Sequence, residues 1–322
     1  NNKYNFFKIM FFVSIIILGL DISIGRELLY WADATILYFW IYVPMLIIIY
    51  FLLDYYIKKV KFSNLRFIFC ILFIIIINFS MESTAVLIFS FILLCTINDI
   101  INKKINWKIL FLLFLSTIML IMSYYIPGNL NRLNSQDPIF SYSNIFEKFC
   151  IKLPDFFLFL FQTKIFSIIF ICSIIISYFL YKRRKTIFKI YSFYLIISNI
   201  ICMIIFVYNP KCIDFYSANI YIYFFCFLYL ILNIIGVIIN ITNDNKYYSY
   251  ILLSSISASL VSVILVEYTS SRFFFLLIIF FIVYIIYNYL IMNEKFKVLI
   301  LILFLISIKW YFFPLIFVYF SI

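Results

Sequence analysis

An all-α, polytopic transmembrane fold is what this sequence predicts, and three observations carry the prediction. Of 322 residues, 67% are hydrophobic and only 12% are charged, where a soluble domain carries about 25% charge. The mean hydropathy is +1.16, a load of Ile, Leu, Phe and Tyr that a water-soluble core of this size cannot hide but hydrocarbon solvates directly. The apolar residues are also gathered into long runs separated by short polar connections.

Those runs lie at about 6–20, 35–53, 67–80, 84–98, 109–126, 165–181, 186–208, 217–241, 247–266, 273–292 and 298–320, which gives about eleven spans. The first is expected to be a span rather than a cleavable signal, because it lacks a small-residue cleavage site and Asp21–Asp33 leads straight into the next run. The net charge of +12 is topological rather than a nucleic-acid signature. Lys3 and Lys8, the cluster Lys58, Lys59, Lys61 and Arg66, the cluster Lys103, Lys104 and Lys108, the run Lys182–Lys185 with Lys189, then Lys246, Lys295 and Lys297 all fall in alternate connections. The positive-inside rule makes those connections cytoplasmic, puts the N-terminus inside, and leaves the odd-to-even connections outside.

Acidic residues divide the other way: Asp21, Glu27, Asp33, Glu82, Asp137, Glu147, Asp155, Asp214 and Glu267 are on the outer side. Carboxylates contribute little to orientation, so this second asymmetry points to a polar, acid-bearing outer face. The spans 67–80 and 84–98 are short and joined by the tip Ser80-Met81-Glu82-Ser83-Thr84, which holds Glu82 near the membrane surface. The longest connection, 127–164, is also outer. Its second half mixes Phe, Ile and Leu with Glu147, Lys148, Lys152 and Asp155, as a helix lying in the interface would. No internal repeat or soluble domain interrupts the chain, which reads as one transmembrane domain over 1–322.

Histidine is absent, which removes histidine metal sites, Ser-His and Cys-His nucleophiles and an imidazole base; catalysis would fall to carboxylates, Lys/Arg, Tyr, Ser/Thr or thiols. The seven cysteines show no C-x-x-C spacing and mostly sit within spans as small apolar fillers; Cys150 and Cys212 share the outer side. No cofactor is identifiable, and divalent-metal dependence is left open.

The candidate site residues are outer and charged. Asp21 sits at the outer end of the first run, where a carboxylate beside hydrocarbon needs a partner or a task. In the first outer loop, Glu27 stands three and four residues before Tyr30 and Trp31, and Asp33 follows; these read either as part of a site or as solvated charges in an interfacial aromatic anchor. Glu82 reads either as an acid or base whose pKa partial desolvation raises, or as a helix-terminus charge beside Ser83 and Thr84. After the fifth run comes Tyr125-Ile126-Pro127-Gly128-Asn129-Leu130-Asn131-Arg132: Pro-Gly ends the helix, Asn129 tolerates the turn, and Arg132 offers a planar fork for phosphate oxygens. Arg272, in Glu267-Tyr-Thr-Ser-Ser-Arg272, is a second outer cation beside a carboxylate. Each arginine alone also fits a snorkelling interface residue.

Pro127-Gly128-Asn129-x-x-Arg132 after the fifth span, the Glu82-Ser83-Thr84 tip, an acidic first outer loop and Arg272 opening a late span resemble a family of bacterial polytopic membrane glycosyltransferases. These are similar to the phage and O-antigen glucosyltransferases that modify surface polysaccharide. The resemblance covers most of the chain in span order; its motifs are short. It implies a GT-C-like fold in the bacterial cytoplasmic membrane. It also implies transfer, at the outer face, of a sugar from a polyprenyl-phosphate donor to a glycan acceptor. Carried over, Asp21 is the base, Glu82 a second site carboxylate, and Arg132 and Arg272 the phosphate-holding cations, with Glu27, Asp33, Asn129 and Glu267 on the substrate side. Two departures are evident: Ile22 follows Asp21 where adjacent acids are frequent, leaving Asp21, Glu27 and Asp33 open as the base, and Ile126 replaces the usual Ala before Pro.

The chemistry asks for the same groups independently. Glycosyl transfer needs a carboxylate for the acceptor hydroxyl proton and cations for a leaving phosphate, and it needs neither His nor a Gly-rich nucleotide loop. A polysaccharide polymerase would use the same residues and is the nearest alternative. A secondary transporter or a flippase for lipid-linked sugars would place charge within the spans, whose centres are almost free of it apart from Lys309.

Overall fold

The computed structural model describes residues 32–124, 165–183, 185–208, 220–242, 246–264 and 275–293, with positions 147, 148, 152, 156 and 296. Among the described residues the chain is all-α, in nine helices: α1 (Ala32–Tyr56), α2 (Asn64–Ser80), α3 (Glu82–Ile101), α4 (Trp107–Tyr124), α5 (Ile165–Tyr181), α6 (Thr186–Tyr208), α7 (Ile220–Ile239), α8 (Lys246–Ile264) and α9 (Phe275–Ile291). About eleven crossings are not carried by these helices on length and composition alone: one of them, Glu82–Ile101, meets that test, and the other apolar stretches of described helix are shorter. The first and last runs, 6–20 and 298–320, lie outside the described residues.

The chain forms two compact units rather than a single cluster of contacts. One comprises Arg26–Phe156 and Tyr250–Leu277; the other comprises Asn1–Gly25, Phe157–Ser249 and Ile278–Ile322.

In the first unit α1, α2, α3 and α4 pack together, and local chemistry sets where each begins. Ser63 caps α2 by accepting the Arg66 amide at 3.2 Å, and Asn106 Oδ1 accepts the Lys108 amide at 3.0 Å at the start of α4. Between α2 and α3 the only connecting residue is Met81, extended at φ −154° and ψ 120°. α1 runs 25 residues through Pro44 without ending. α3 ends with Lys103 in the left-handed region at φ 53° and the Lys104 amide reaching back to the Asp99 carbonyl at 2.9 Å, the Schellman pattern. Of the stretch 127–164, Glu147 is described and exposed, and Lys148, Lys152 and Phe156, spaced at i, i+4 and i+8, are described and buried.

α2 shows what decides the faces. It buries Cys70, Ile74, Ile77 and Asn78, and it exposes Leu65, Ile68, Phe69, Leu72, Ile76 and Phe79. In water the outward stripe of a helix is polar; here it is as apolar as the inward one. The described thiols Cys70, Cys95 and Cys172 are buried fillers, as expected.

In the second unit α5, α6 and α7 pack around a polar seam. Tyr229 donates to Asn199 Oδ1 at 2.6 Å, and Asn199 Nδ2 donates to Ser173 Oγ at 3.0 Å, linking three helices through side chains that are all buried. Ser192 Oγ donates to the Ser177 carbonyl at 2.8 Å, and the Tyr191 hydroxyl donates to the Leu232 carbonyl. At Gly236 the helices come closest: a Cβ there would sit 2.9 Å from Ile176 Cγ2 and 3.4 Å from Leu195 Cδ1. Interhelical hydrogen bonds of this kind are worth about 0.5–1.5 kcal/mol each. Tyr229→Phe, which leaves Asn199 Oδ1 without its donor, is expected to cost about 1 kcal/mol of stability, read as a lowered thermal midpoint in detergent with the fold retained.

Candidate functional site

The candidate site is the tip between α2 and α3, the one place where a predicted site carboxylate falls among the described side chains. Met81 forms the N-cap of α3, with no side-chain capping bond, and Glu82 is the first residue of the helix. The Thr84 hydroxyl donates to the Met81 carbonyl at 2.8 Å, so it is used within the turn. Glu82 is half-buried, as is Met81, while Ser83, Thr84 and Ala85 are buried. A carboxylate here faces the positive end of the α3 dipole.

Two neighbouring polar atoms are left open. Asn78, buried in the last turns of α2, donates its amide to the Ile74 carbonyl at 2.8 Å, yet its Oδ1 has no hydrogen-bond partner among the described residues. Ser83 Oγ, buried in the first turn of α3, has none either. Buried polar atoms are nearly always satisfied, and an open one costs about 1–3 kcal/mol. In sequence, Ser83 is next to Glu82 and Asn78 is four residues before it.

Of the other predicted site residues, Asp33 is the second residue of α1, and its side chain lies outside the described set. Asp21, Glu27, Asn129, Arg132, Glu267 and Arg272 lie outside the described residues, as do Cys150 and Cys212. Glu82 is thus the one predicted site residue whose side chain is among those described. Among the described residues no group of three or more His, Cys, Asp or Glu is placed to hold a metal ion.

The structure also assembles a second polar cluster, at the opposite end of α1–α4, that the sequence reading passed over. Asp54 Oδ1 pairs with Lys58 Nζ at 2.7 Å and Asp54 Oδ2 with Arg66 Nη2 at 3.1 Å. Tyr56 donates to Asp99 Oδ2 at 2.7 Å, and Asn106 donates to the Tyr55 hydroxyl at 3.1 Å. Lys108 Nζ reaches the Phe62 carbonyl at 2.9 Å and Asn64 Oδ1 at 2.7 Å. The only advance signal was an acid at i to a base at i+4, Asp54 and Lys58, at the end of an apolar run.

The hydrogen bond from Lys58 holds the Asp54 carboxyl below its ordinary range, outweighing its burial, with Arg66 adding to the effect. A depressed carboxyl stabilises the fold above its unfolded pKa of about 4, and that contribution is lost as pH falls through the lower folded value. Asp54→Asn is therefore expected to lower the thermal midpoint at pH 7. The gap to wild type should shrink in a titration below about pH 4; a gap independent of pH would remove the ion pair as its cause.

No family model, curated protein or solved structure matches this chain.

Proposed function

We propose that the chain is a GT-C-like glycosyltransferase of the bacterial cytoplasmic membrane, moving a sugar from a polyprenyl-phosphate donor to a surface glycan acceptor at the outer face. The membrane part of the reading is supported by how the helices distribute polarity. α6 buries Ser192, Ser198 and Asn199 and exposes Ile187, Ile190, Phe193, Tyr194 and Ile200, with Ile187 67% exposed and Asn199 2% exposed. Polar inside and apolar outside is the arrangement a hydrocarbon solvent selects, because backbone and side-chain polar groups must then be satisfied within the protein. Full helix lengths of 17 to 25 residues correspond to about 26–38 Å, against a hydrocarbon layer of about 30 Å. On this basis the sequence count of about eleven crossings is kept as part of the proposal.

The single observation that carries the catalytic part is the Glu82 tip: a half-buried carboxylate at the first residue of α3, directly after a one-residue turn. Glu82 would position or polarise acceptor hydroxyls. Asp21 would take the acceptor proton as the acceptor oxygen attacks the anomeric carbon and the sugar–phosphate bond breaks. Arg132 and Arg272 would hold the departing polyprenyl phosphate, which leaves with the bonding electron pair.

The test is release of polyprenyl phosphate from a panel of polyprenyl-phosphate hexoses by the detergent-solubilised full chain, supplied with a glycan acceptor. Release with wild type, and its loss in Glu82→Gln at unchanged thermal midpoint, supports the reading. Equal release by Glu82→Gln contradicts the tip as the site.

A further inference from the structure

We propose that the connections α1–α2 and α3–α4 together form a binding surface for the headgroups of anionic phospholipids, an inference that rests on the membrane reading above but not on the glycosyl-transfer chemistry. The two connections are one structural feature. Tyr56 to Asp99, Asn106 to Tyr55, and Lys108 to the Phe62 carbonyl and Asn64 tie them into a single end of the first unit.

That end sorts its charges by depth. Its cations are Lys58, Lys59, Lys61, Arg66, Lys103, Lys104 and Lys108, and its two carboxylates, Asp54 and Asp99, are 5% and 6% exposed. Asp54 is occupied by Lys58 and Arg66, and Asp99 accepts from Tyr56. Lys59, Lys61, Lys103 and Lys104 are exposed, and no ion pair to them is found among the described residues. The surface therefore presents positive charge alone, because its negative charge has been drawn inside.

Two further features fit a lipid headgroup rather than a soluble anion. Ile57, Val60, Ile101, Ile105 and Trp107 are exposed between the lysines, Ile101 by 75% and Trp107 by 64%. Apolar and indole groups alternating with lysines match the boundary where acyl chains meet phosphodiesters. In addition, Lys59 and Lys103 are the two residues other than glycine with positive φ among the described residues, at 55° and 53°. Glycine would occupy either position with less strain, so the lysines sit there at a conformational cost. The N-termini of α2 and α4 open at the same end, with Phe67 against Trp107 at 5.4 Å, and add two positive dipole ends.

The test measures phospholipid co-purifying with the full chain from mixed micelles of phosphatidylglycerol and phosphatidylcholine. Wild type is expected to enrich phosphatidylglycerol. The variant Lys59→Gln/Lys61→Gln/Lys103→Gln/Lys104→Gln should reduce that enrichment about tenfold or more, whereas Lys182→Gln/Lys185→Gln/Lys189→Gln, in the second unit, should leave most of it. Lys59→Gly/Lys103→Gly guards against misfolding: it relieves the left-handed strain, so its thermal midpoint should hold or rise while enrichment still falls. Unchanged enrichment in the quadruple variant, or an equal loss from the second-unit variant, overturns the proposal. A wild-type chain that carries no phospholipid of either kind overturns it together with the membrane reading.

Discussion

Asp21→Asn is expected to slow sugar transfer by about 10²–10⁴-fold, with the Michaelis constant for the lipid donor little changed. The asparagine keeps size and hydrogen bonding but cannot take the acceptor proton, so the loss should fall on kcat. Arg132→Leu should behave in the opposite way if the arginine holds phosphate in both ground and transition states, raising the donor KM first. Asp33→Asn should matter least of the three outer acids. Asp33 is the second residue of α1 and follows Tyr30 and Trp31 in sequence, where a solvated charge in an interfacial aromatic anchor accounts for it. A pH–rate profile on the purified full chain checks the assignment: the ascending limb should be present in wild type and in Asp33→Asn and absent in the residual activity of Asp21→Asn. A large loss in Asp33→Asn with Asp21→Asn near wild type would move the base along the loop.

Gly236→Leu is expected to be the most damaging single change in the described helices. A β-carbon at this position already comes within 2.9 Å of Ile176 Cγ2, 3.4 Å of Leu195 Cδ1 and 3.6 Å of Tyr191 Cε1. Ile176 and Leu195 are fully buried, so neither has empty space to move into. For Gly236→Ala two terms oppose each other: helix propensity favours alanine by about 1 kcal/mol, and the close approach to Ile176 costs a similar amount, so the net change should be small. Leucine adds three more carbons with nothing left to offset them, and overpacking of about 1–3 kcal/mol or more should follow. It would also press on the Tyr191 ring, whose hydroxyl holds α6 to the Leu232 carbonyl. Thermal unfolding in detergent reads both variants. Gly236→Leu matching wild type would mean that α5, α6 and α7 do not meet at this glycine.

Helix content was legible because long apolar runs leave little else for a backbone to do, and the nine described helices fall on nine of the eleven runs. Their faces were less so. With Ile, Leu and Phe on every side of α2, periodicity does not say which stripe is inward, and only packing separates Ile74 from Ile76. The polar seam of Ser173, Asn199 and Tyr229 was missed for the same reason. Single Asn and Ser residues in apolar runs carry little charge or hydropathy signal, yet burial makes them the groups that fix helix register. At the candidate site Glu82 was visible as an acid on a short tip. Asn78 was not, and Ser83 was visible only as part of the tip, since an open buried oxygen is a property of packing. The Asp54–Arg66 pair was likewise hidden, because the two residues are brought together by a turn whose geometry the charges do not announce.

Surface-glycan composition by mass spectrometry, in cells carrying the wild-type chain, Asp21→Asn or Glu82→Gln at matched membrane insertion, tests the central claim most directly. A glycan-building enzyme predicts a sugar unit that is present with wild type and absent with both variants. Loss of a side branch identifies a transferase, and loss of chain length a polymerase. A glycan unchanged by both variants would contradict the outer carboxylate site and with it the proposed activity.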